Sequence, residues 1–399
     1  MREKYDFDQY INRKNTNSIK YDFGIERKGR SDLLPLWVAD MDFQAPQEVI
    51  DDLIKRVQHG IWGYTDPKQE YYEALSKWFL EHFGWEIKQE WNTITPGVVY
   101  AICVAIRAFS KEGDGVLIQQ PVYYPFAEAI VSNNRKLVNN QLVYEDGKYR
   151  IDFSDFEQKI VDNNVKIFIL CSPHNPVGRV WKREELERIG KICLDHNVLV
   201  IADEIHCDFC YEGYHHIPFA KISEEFAQNA IICTSPSKTF NIAGLQTANI
   251  LIPNERIRRR YRQEHSAGGY SQGNAFGIFA CQSAYAKGDK WHRELKIYLK
   301  ENLNFLREFI KKRIPQIKLV EPEGTYLVWL DCSGLKIDHK ELEKLIVDEA
   351  KLWLDPGIIF GAETALFERI NIACPRSTLE QALRQLEDAV NNLEAGRND

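Results

Sequence analysis

A lysine surrounded by hydroxyl side chains lies in the segment Ser-Pro-Ser-Lys-Thr-Phe-Asn, which runs from 235 to 241. This lysine, Lys238, follows the apolar run Ala230–Cys233, which predicts a buried strand. A primary amine at a strand end can form a Schiff base with an aldehyde, and the hydroxyls of Ser235 and Ser237 can bind a phosphate. The segment therefore suits pyridoxal phosphate, although most lysines in loops are simply solvated.

Chemically active side chains also follow the other apolar runs of this region: Tyr123, Tyr124, Asn175 and Asp203. A partly buried Asp203 carboxylate could pair with a protonated pyridine nitrogen and keep the ring an electron acceptor, or it could be a helix N-cap. The Asn175 amide could donate to the phenolate oxygen of the cofactor, or lie in a plain Asn-Pro turn. One tyrosine could stack on the pyridine ring, or both could pack in the wall.

Two further segments could bind anions. Gly97, Val98 and Val99 follow a proline and predict a helix N-terminus, whose free N–H groups suit a phosphate. The alternative is an ordinary glycine turn into a helix. Arg369 leads into the short apolar run Ile370–Ala373, and its guanidinium could bind an α-carboxylate through two parallel hydrogen bonds. The alternative is a surface arginine.

The elements that must position these residues alternate between about 50 and 285. Apolar residues at helical spacing occur between short apolar runs, which are Val116–Ile118, Lys166–Cys171, Val198–Ala202, Ala230–Cys233 and Ala248–Ile252. Such runs predict strands buried on both faces, and their alternation with helices predicts an α/β fold with a mostly parallel sheet. Ligands of such sheets bind at the carboxyl ends of the strands, where the residues above are found.

The last third of the chain has a different pattern. Long charged amphipathic helices are predicted at about 289–313, 338–350 and 377–394, together with the strands Tyr326–Leu330 and Ile370–Ala373. This pattern predicts a smaller α+β domain. The predicted organisation is an N-terminal segment (1–49) that packs on the small domain, a large cofactor-binding domain (50–285) and a small C-terminal domain (286–399).

Composition narrows the functional class. The chain has 399 residues and a net charge of −7, which argues against nucleic acid as the main partner. The basic stretch from Arg256 to Arg262 has acidic flanks and is typical of a solvated helix face. Nine cysteines without a dense framework favour reduced thiols in a cytoplasmic protein, and the lone pair Cys207 and Cys210 predicts no metal site. No apolar run is long enough to predict a membrane span.

Seven segments in chain order resemble one superfamily: Ile11–Ser18, Trp37–Phe43, Val122–Phe126, Ser172–Gly178, Asp203–His206, Ser237–Gly244 and Arg369–Ala373. The chain resembles the fold-type I pyridoxal phosphate enzymes of the aspartate aminotransferase superfamily over nearly its whole length. It is most similar to the MalY/PatB branch, which contains cystathionine β-lyases and cysteine C–S lyases such as the cystalysin-like proteins. Asn-Pro-x-Gly and Ser-Lys-Thr mark the superfamily, whereas Trp-Val-Ala-Asp-Met-Asp-Phe and Asp-Glu-Ile-His mark the branch.

The resemblance implies a role for each candidate residue. Lys238 is expected to hold the cofactor and move protons, with Tyr124 as a second proton donor. The other expected cofactor contacts are Asp203, Asn175, Tyr123, His206, Val98, Val99, Ser235 and Ser237. Arg369, Asn175 and Ala39 are expected to face the substrate. Tyr64 would reach the phosphate in a neighbouring subunit, which implies a homodimer with shared sites.

Two positions depart from the wider aminotransferase pattern. Gln246 replaces an arginine that usually binds the phosphate, and His206 stands where a tyrosine often tunes the phenolate oxygen. The role of His206 is left open.

The expected reaction is α,β-elimination of a sulfur amino acid to pyruvate, ammonia and a thiol or sulfide. The alternative within the same superfamily is a class I/II aminotransferase, because both reactions begin with removal of the Cα proton. A third option is a regulatory protein that uses the same scaffold as a docking surface.

Overall fold

The computed structural model describes residues 5–396; the predicted first and last domains therefore each have a terminus, 1–4 and 397–399, outside the described residues. The helices of the described part are α1 (Gly24–Lys28), α2 (Gln47–His59), α3 (Gln69–Phe83), α4 (Val98–Phe109), α5 (Pro125–Ser132), α6 (Phe153–Asp162), α7 (Arg183–Asp195), α8 (Glu224–Ala227), α9 (Pro236–Thr239), α10 (Glu255–Ala267), α11 (Ala275–Lys287), α12 (Asp289–Arg313), α13 (His339–Lys344) and α14 (Arg376–Ala395). The strands are β1 (Leu34–Pro35), β2 (Asn92–Thr95), β3 (Gly115–Ile118), β4 (Lys136–Asn139), β5 (Val143–Glu145), β6 (Lys148–Arg150), β7 (Val165–Cys171), β8 (Leu199–Asp203), β9 (Ala230–Thr234), β10 (Ala248–Leu251), β11 (Lys318–Val320), β12 (Leu327–Asp331), β13 (Leu352–Trp353), β14 (Asp355–Pro356) and β15 (Phe367–Asn371).

The large sheet has seven strands in the order β2-β10-β9-β8-β7-β3-β4. All neighbouring pairs are parallel except those of β10, which runs antiparallel to both β2 and β9. Successive residues of one strand enter opposite apolar layers: Ile169 belongs to the layer that contains α4 and α5, whereas Leu170 belongs to the layer that contains α6 and α7. The sheet is therefore buried on both faces, and the predicted α/β fold is confirmed.

A second, antiparallel sheet has the order β11-β12-β15-β14. The predicted helices of this region occur as α12, α13 and α14, with a π-helical turn from Leu345 to Glu349 extending α13. The strand predicted at Ile370–Ala373 is instead β15, Phe367–Asn371. The prediction began too late because Glu368 and Arg369, which are charged, are buried within this strand.

The N-terminal segment links the two sheets. Its strand β1 pairs in parallel with β13, and the Nδ2 atom of Asn371 donates to the carbonyl oxygens of Val38 (2.8 Å) and Asp40 (2.7 Å). From the other side, Asn241 Nδ2 donates to the carbonyl oxygen of Phe43 at 2.7 Å. The segment therefore crosses the molecule next to Lys238. The domain boundaries at 49/50 and 285/286 stay a prediction.

Candidate active site

A cavity of about 200 Å³ opens at the carboxyl ends of β3, β7, β8 and β9. Its lining residues are Trp37, Val38, Ala39, Pro96, Gly97, Val98, Val99, Tyr123, Tyr124, Cys171, Asn175, Asp203, Ile205, His206, Ser235, Ser237, Lys238, Ala243, Asp355 and Arg369. The structure thus brings together every site residue predicted from the sequence except Tyr64. The individual roles of these residues remain predictions.

Lys238 lies on α9, the single helical turn that follows β9. Its Nζ atom donates a hydrogen bond to the carbonyl oxygen of Ala39 at 3.0 Å. Burial lowers the pKa of Lys238 to about 8, because the ammonium form loses water; the charge of Asp40 opposes this shift, and that of Arg369 adds to it. With a pKa of about 8, roughly a tenth of Lys238 is the neutral, nucleophilic amine at pH 7, a far larger share than the ordinary pKa of 10.5 would leave.

Asp203 is the last residue of β8 and is buried. Its Oδ1 atom accepts the backbone N–H of Ile205 at 3.1 Å, within a turn, so Asp203 does not cap a helix. Burial raises the pKa of Asp203 to about 7, with a further contribution from the charge of Glu204. A cationic group placed in the cavity against Asp203 would restore its charged form.

Two groups of hydrogen-bond donors line the cavity and could bind an anion. The first turn of α4 offers the N–H groups of Val98 and Val99, which a helix leaves without partners in its own backbone. A Cβ added to Gly97 would meet no protein atom within 4 Å, so this glycine leaves open space before the helix. Ser235 caps α9, donates to the carbonyl oxygen of Thr247 at 2.7 Å and lies 2.8 Å from the hydroxyl of Ser237.

Arg369 is held from three sides. Its Nη1 atom donates to Asn175 Oδ1 at 2.9 Å, and its Nη2 atom donates to the carbonyl oxygen of Trp37 at 3.0 Å and to the Asp355 carboxylate. The guanidinium also lies over the ring of Phe360, 4.8 Å from its centroid. Arg369 is therefore a buried, oriented cation and not a surface arginine.

Neutral rings complete the cavity wall. Burial lowers the pKa of His206 to about 3, and the cations Lys238 and Arg369 lower it further, so this imidazole is uncharged at neutral pH. Burial likewise raises the pKa of Tyr123 and Tyr124, so both phenols keep their protons. Among residues 5–396, His206 Nδ1 is buried without a hydrogen-bond partner.

Three residues of the site were missed by sequence reasoning. Asp355 pairs with Arg369, Asp40 tunes the pKa of Lys238, and Tyr326 donates to the carbonyl oxygen of Ala39 at 2.9 Å. Asp40 stood within a motif that marks the branch, so that motif was the available signal.

Tyr64 lies outside the cavity and is 95% exposed. Gln246 is also exposed, and it borders a neighbouring groove.

The protein-family comparison matches residues 31–386 to the family described as aminotransferase class I and II. Cystathionine β-lyase PatB of Bacillus subtilis (strain 168) is 41% identical, over 96% of this chain and 99% of that protein. Protein MalY of Escherichia coli (strain K12) is 34% identical over 97% and 99%. Cystalysin from Treponema denticola, solved with a pyridoxal 5′-phosphate cofactor, superposes with a TM-score of 0.94 at 40% identity, over 98% of this chain and 99% of that chain.

The fold, the residues of the cavity and the sequence similarity over nearly the whole chain all indicate the same family, so the predicted resemblance is confirmed. The chain belongs to the family of class I and II aminotransferases.

Proposed function

We propose that this protein is a pyridoxal 5′-phosphate-dependent carbon–sulfur lyase that eliminates a thiol or sulfide from a sulfur-containing L-amino acid. The observation that carries the proposal is the pairing of Lys238 and Asp203 in one cavity at adjacent strand ends. Similarity to PatB, a cystathionine β-lyase, supports the carbon–sulfur lyase class. The remaining products are pyruvate and ammonia.

The residues present fit the cofactor. The buried Asp203 carboxylate has one backbone N–H donor in the described structure and a raised pKa, so it suits the protonated nitrogen of a pyridine ring. The N–H groups of Val98 and Val99 and the hydroxyl of Ser237 suit the phosphate. The amide of Asn175 uses its oxygen on Arg369, which leaves its N–H₂ group as a donor.

The bound cofactor would supply an electron-accepting ring that stabilises negative charge at Cα of the amino acid. Lys238, with its pKa lowered to about 8, can accept the Cα proton near neutral pH. Arg369 would bind the substrate carboxylate and fix Cα in reach of that amine. The half-buried Tyr124 keeps its proton because burial raises its pKa, so its phenol can protonate the leaving sulfur.

We also propose a homodimer in which Tyr64 completes the neighbouring site. Tyr64 lies in the connection between α2 and α3 with two further exposed apolar side chains, Ile61 and Trp62. Exposed apolar groups clustered in this way are typical of a protein–protein contact.

A cytoplasmic location is proposed because all nine cysteines are free thiols. No helix within residues 5–396 is both long and apolar enough to cross a bilayer.

The Lys238→Ala variant tests the proposal. The purified parent, supplied with the cofactor, is expected to absorb in the visible and near-ultraviolet and to release pyruvate from cystathionine or L-cysteine. The variant is expected to lose the lysine-bound absorbance and at least about 1,000-fold of the turnover, because it lacks both the anchoring amine and the proton acceptor. A variant that releases pyruvate at the parent rate would exclude this mechanism.

The same reaction mixture separates the lyase from an aminotransferase. Transamination would consume an added 2-oxo acid and form a new amino acid, whereas elimination forms pyruvate together with a thiol or sulfide. Stoichiometric pyruvate and sulfide from L-cysteine, without a 2-oxo acid, are expected. Formation of a new amino acid as the main product would reject the lyase.

A further inference from the structure

The cavity contains a buried ion pair whose acidic member has no role in the reaction proposed above. Asp355 is 6% exposed and stands on β14 directly opposite Arg369 on β15. Its carboxylate accepts from Arg369 Nη2. A guanidinium buried without an anion is strongly unfavourable, so Asp355 stabilises Arg369 in the ligand-free protein.

Three of the five N–H groups of Arg369 already have acceptors, and these include both N–H groups of Nη2. Nη2 has two N–H groups, and both have acceptors: the backbone oxygen of Trp37 and the carboxylate of Asp355. Nη1 gives one N–H to Asn175 and has one left. Among the residues that the structure describes, the Nε atom is buried without a partner.

A carboxylate can grip a guanidinium through two parallel bonds in only two ways. It uses one N–H from each Nη, or it uses the Nε–H together with an N–H of the adjacent Nη2. Either arrangement needs Nη2. A substrate carboxylate must therefore displace one of the two acceptors that Nη2 of Arg369 already has.

The two acceptors differ in their freedom to leave. The Trp37 oxygen belongs to the backbone, and the ring of Trp37 stacks on Trp353 with centroids 4.5 Å apart, while the N–H of Leu36 donates to the Trp353 carbonyl oxygen at 2.9 Å. The Asp355 carboxylate is at the end of a side chain and can turn away by rotation about its own bonds. Repulsion between two carboxylates on one guanidinium also favours this movement.

We infer that the Asp355 carboxylate occupies Nη2 of Arg369 while the site is empty, and that the carboxylate of the amino-acid substrate displaces it from Nη2. This inference rests on the proposed amino-acid substrate. Asp355 is a positioning residue that competes with the substrate for Arg369 and stabilises the empty site. Loss of its charge would therefore weaken the empty protein and strengthen the binding of a carboxylate.

The Asp355→Asn variant tests both effects on the cofactor-loaded protein. Its thermal midpoint without ligand is expected to fall, because Arg369 loses its anion. Calorimetric titration with propionate, which has a carboxylate and no amine, is expected to show binding at least about tenfold tighter than in the parent. The affinity for propionamide, the neutral analogue, is expected to stay unchanged.

A control variant removes one anion from a partly buried ion-pair network outside the cavity, in which Arg179 pairs with both Glu185 and Glu323. Glu323 accepts from Arg179 at 2.9 Å, and Glu323→Gln is expected to lower the thermal midpoint without changing the affinity for propionate. If Asp355→Asn binds propionate no more tightly than the parent, the competition does not exist. The Asp355→Ser variant gives the same test if the asparagine variant does not fold. Calorimetry reports carboxylate binding and not elimination, so a protein without lyase activity would still give a readable result.

Discussion

At the scale of single residues, burial shifts the pKa values of Lys238 and Asp203 in opposite directions, and both shifts favour the uncharged form. It lowers the pKa of the lysine to about 8 and raises that of the aspartate to about 7, so both groups are driven toward their neutral forms. A ligand with an aldehyde for the amine and a cationic nitrogen for the carboxylate relieves both costs at once. These two groups therefore lower the stability of the cofactor-free protein, and they are kept because the proposed reaction needs them.

Asp203→Asn is expected to stabilise the cofactor-free protein. The folded-state pKa of Asp203 lies above its unfolded value of 3.8, so ionisation favours unfolding and the penalty grows as pH rises from about 4 to about 7. The variant removes this penalty. Its gain in unfolding free energy, from urea titrations, should be near zero at pH 4 and reach up to about 4 kcal/mol above pH 7.

Asp388→Asn, which changes an exposed acid on α14, is the control for the loss of one negative charge, and it should change the free energy of unfolding by no more than about 0.5 kcal/mol. With the cofactor bound the effect of Asp203→Asn should reverse, because the ring loses its anionic partner, and turnover should fall at least about 100-fold. An asparagine variant that is less stable than the parent at pH 8, without cofactor, would contradict the argument.

Residues at the ends of apolar runs were the predictable part of the site. Lys238, Asp203 and Asn175 each follow such a run, and open α/β sheets bring these ends together. Asp355 could not be found in this way. It precedes a proline, which indicates a turn, and its contact with Arg369 depends on a strand pair only two residues long.

At the scale of elements, apolar runs predicted the buried inner strands of the large sheet, including the antiparallel β10, whereas they did not predict edge strands such as β2 and β14. The edge strand β2 has the sequence Asn-Thr-Ile-Thr, and β14 is Asp-Pro, so neither shows an apolar pattern. Each forms because a neighbour, β10 or β15, offers its free backbone groups. The periodicity of apolar residues does not predict which neighbouring strand will pair with such a segment.

Helix α11 shows how a distant element positions the cofactor site. A Cβ at Gly277 would overlap the hydroxyl of Thr247 and the carbonyl oxygen of Leu245. Thr247 in turn accepts the hydrogen bond of Ser235. The absence of a side chain at Gly277 therefore lets α11 support the loop that orients the hydroxyl of Ser235.

Gly277→Ala is expected to lower the free energy of unfolding by about 1–3 kcal/mol, because the close contact forces the loop outward. It should also weaken cofactor binding, measured by equilibrium dialysis. Gly244→Ala on the adjacent turn is the matched control, since its Cβ would meet no atom within 4 Å, and it should leave both quantities nearly unchanged. Equal behaviour of the two variants would show that α11 does not position the loop.

At the scale of the whole molecule, one cavity collects residues from all parts of the chain. Ala39, Lys238 and Arg369 meet there although long stretches of sequence separate them. The overall class could be predicted because strand–helix alternation restricts topology strongly. The path of the N-terminal segment could not be predicted in detail, because side-chain amides of Asn241 and Asn371 hold it, and no periodic pattern marks them.

The proposed shared sites predict complementation between one impaired and one inactive variant. Tyr64→Ala should reduce turnover in every site of its dimer, and Lys238→Ala should abolish it. In a mixed dimer, one site would receive Lys238 from one chain and Tyr64 from the other, and would be intact. Co-produced chains, purified through two different tags, are expected to recover roughly half of the parent activity per dimer, as the ratio of intact sites requires.

Activity of the mixed dimers that does not exceed that of Tyr64→Ala homodimers would argue against a contribution of Tyr64 to the neighbouring site. Subunit mass in solution should be measured on the same samples, so that a monomer is recognised directly.

The carbonyl oxygen of Ala39 accepts hydrogen bonds from both Lys238 and Tyr326, and the flanking oxygens of Val38 and Asp40 are bound by Asn371. This arrangement has a consequence for biosynthesis. The chain up to residue 371 must leave the ribosome before Asn371 can hold the N-terminal segment in its position beside Lys238. Partly synthesised chains that lack residue 371 therefore have Lys238 without the contacts that hold the segment beside it, and a reactive aldehyde that enters such a chain meets no formed site.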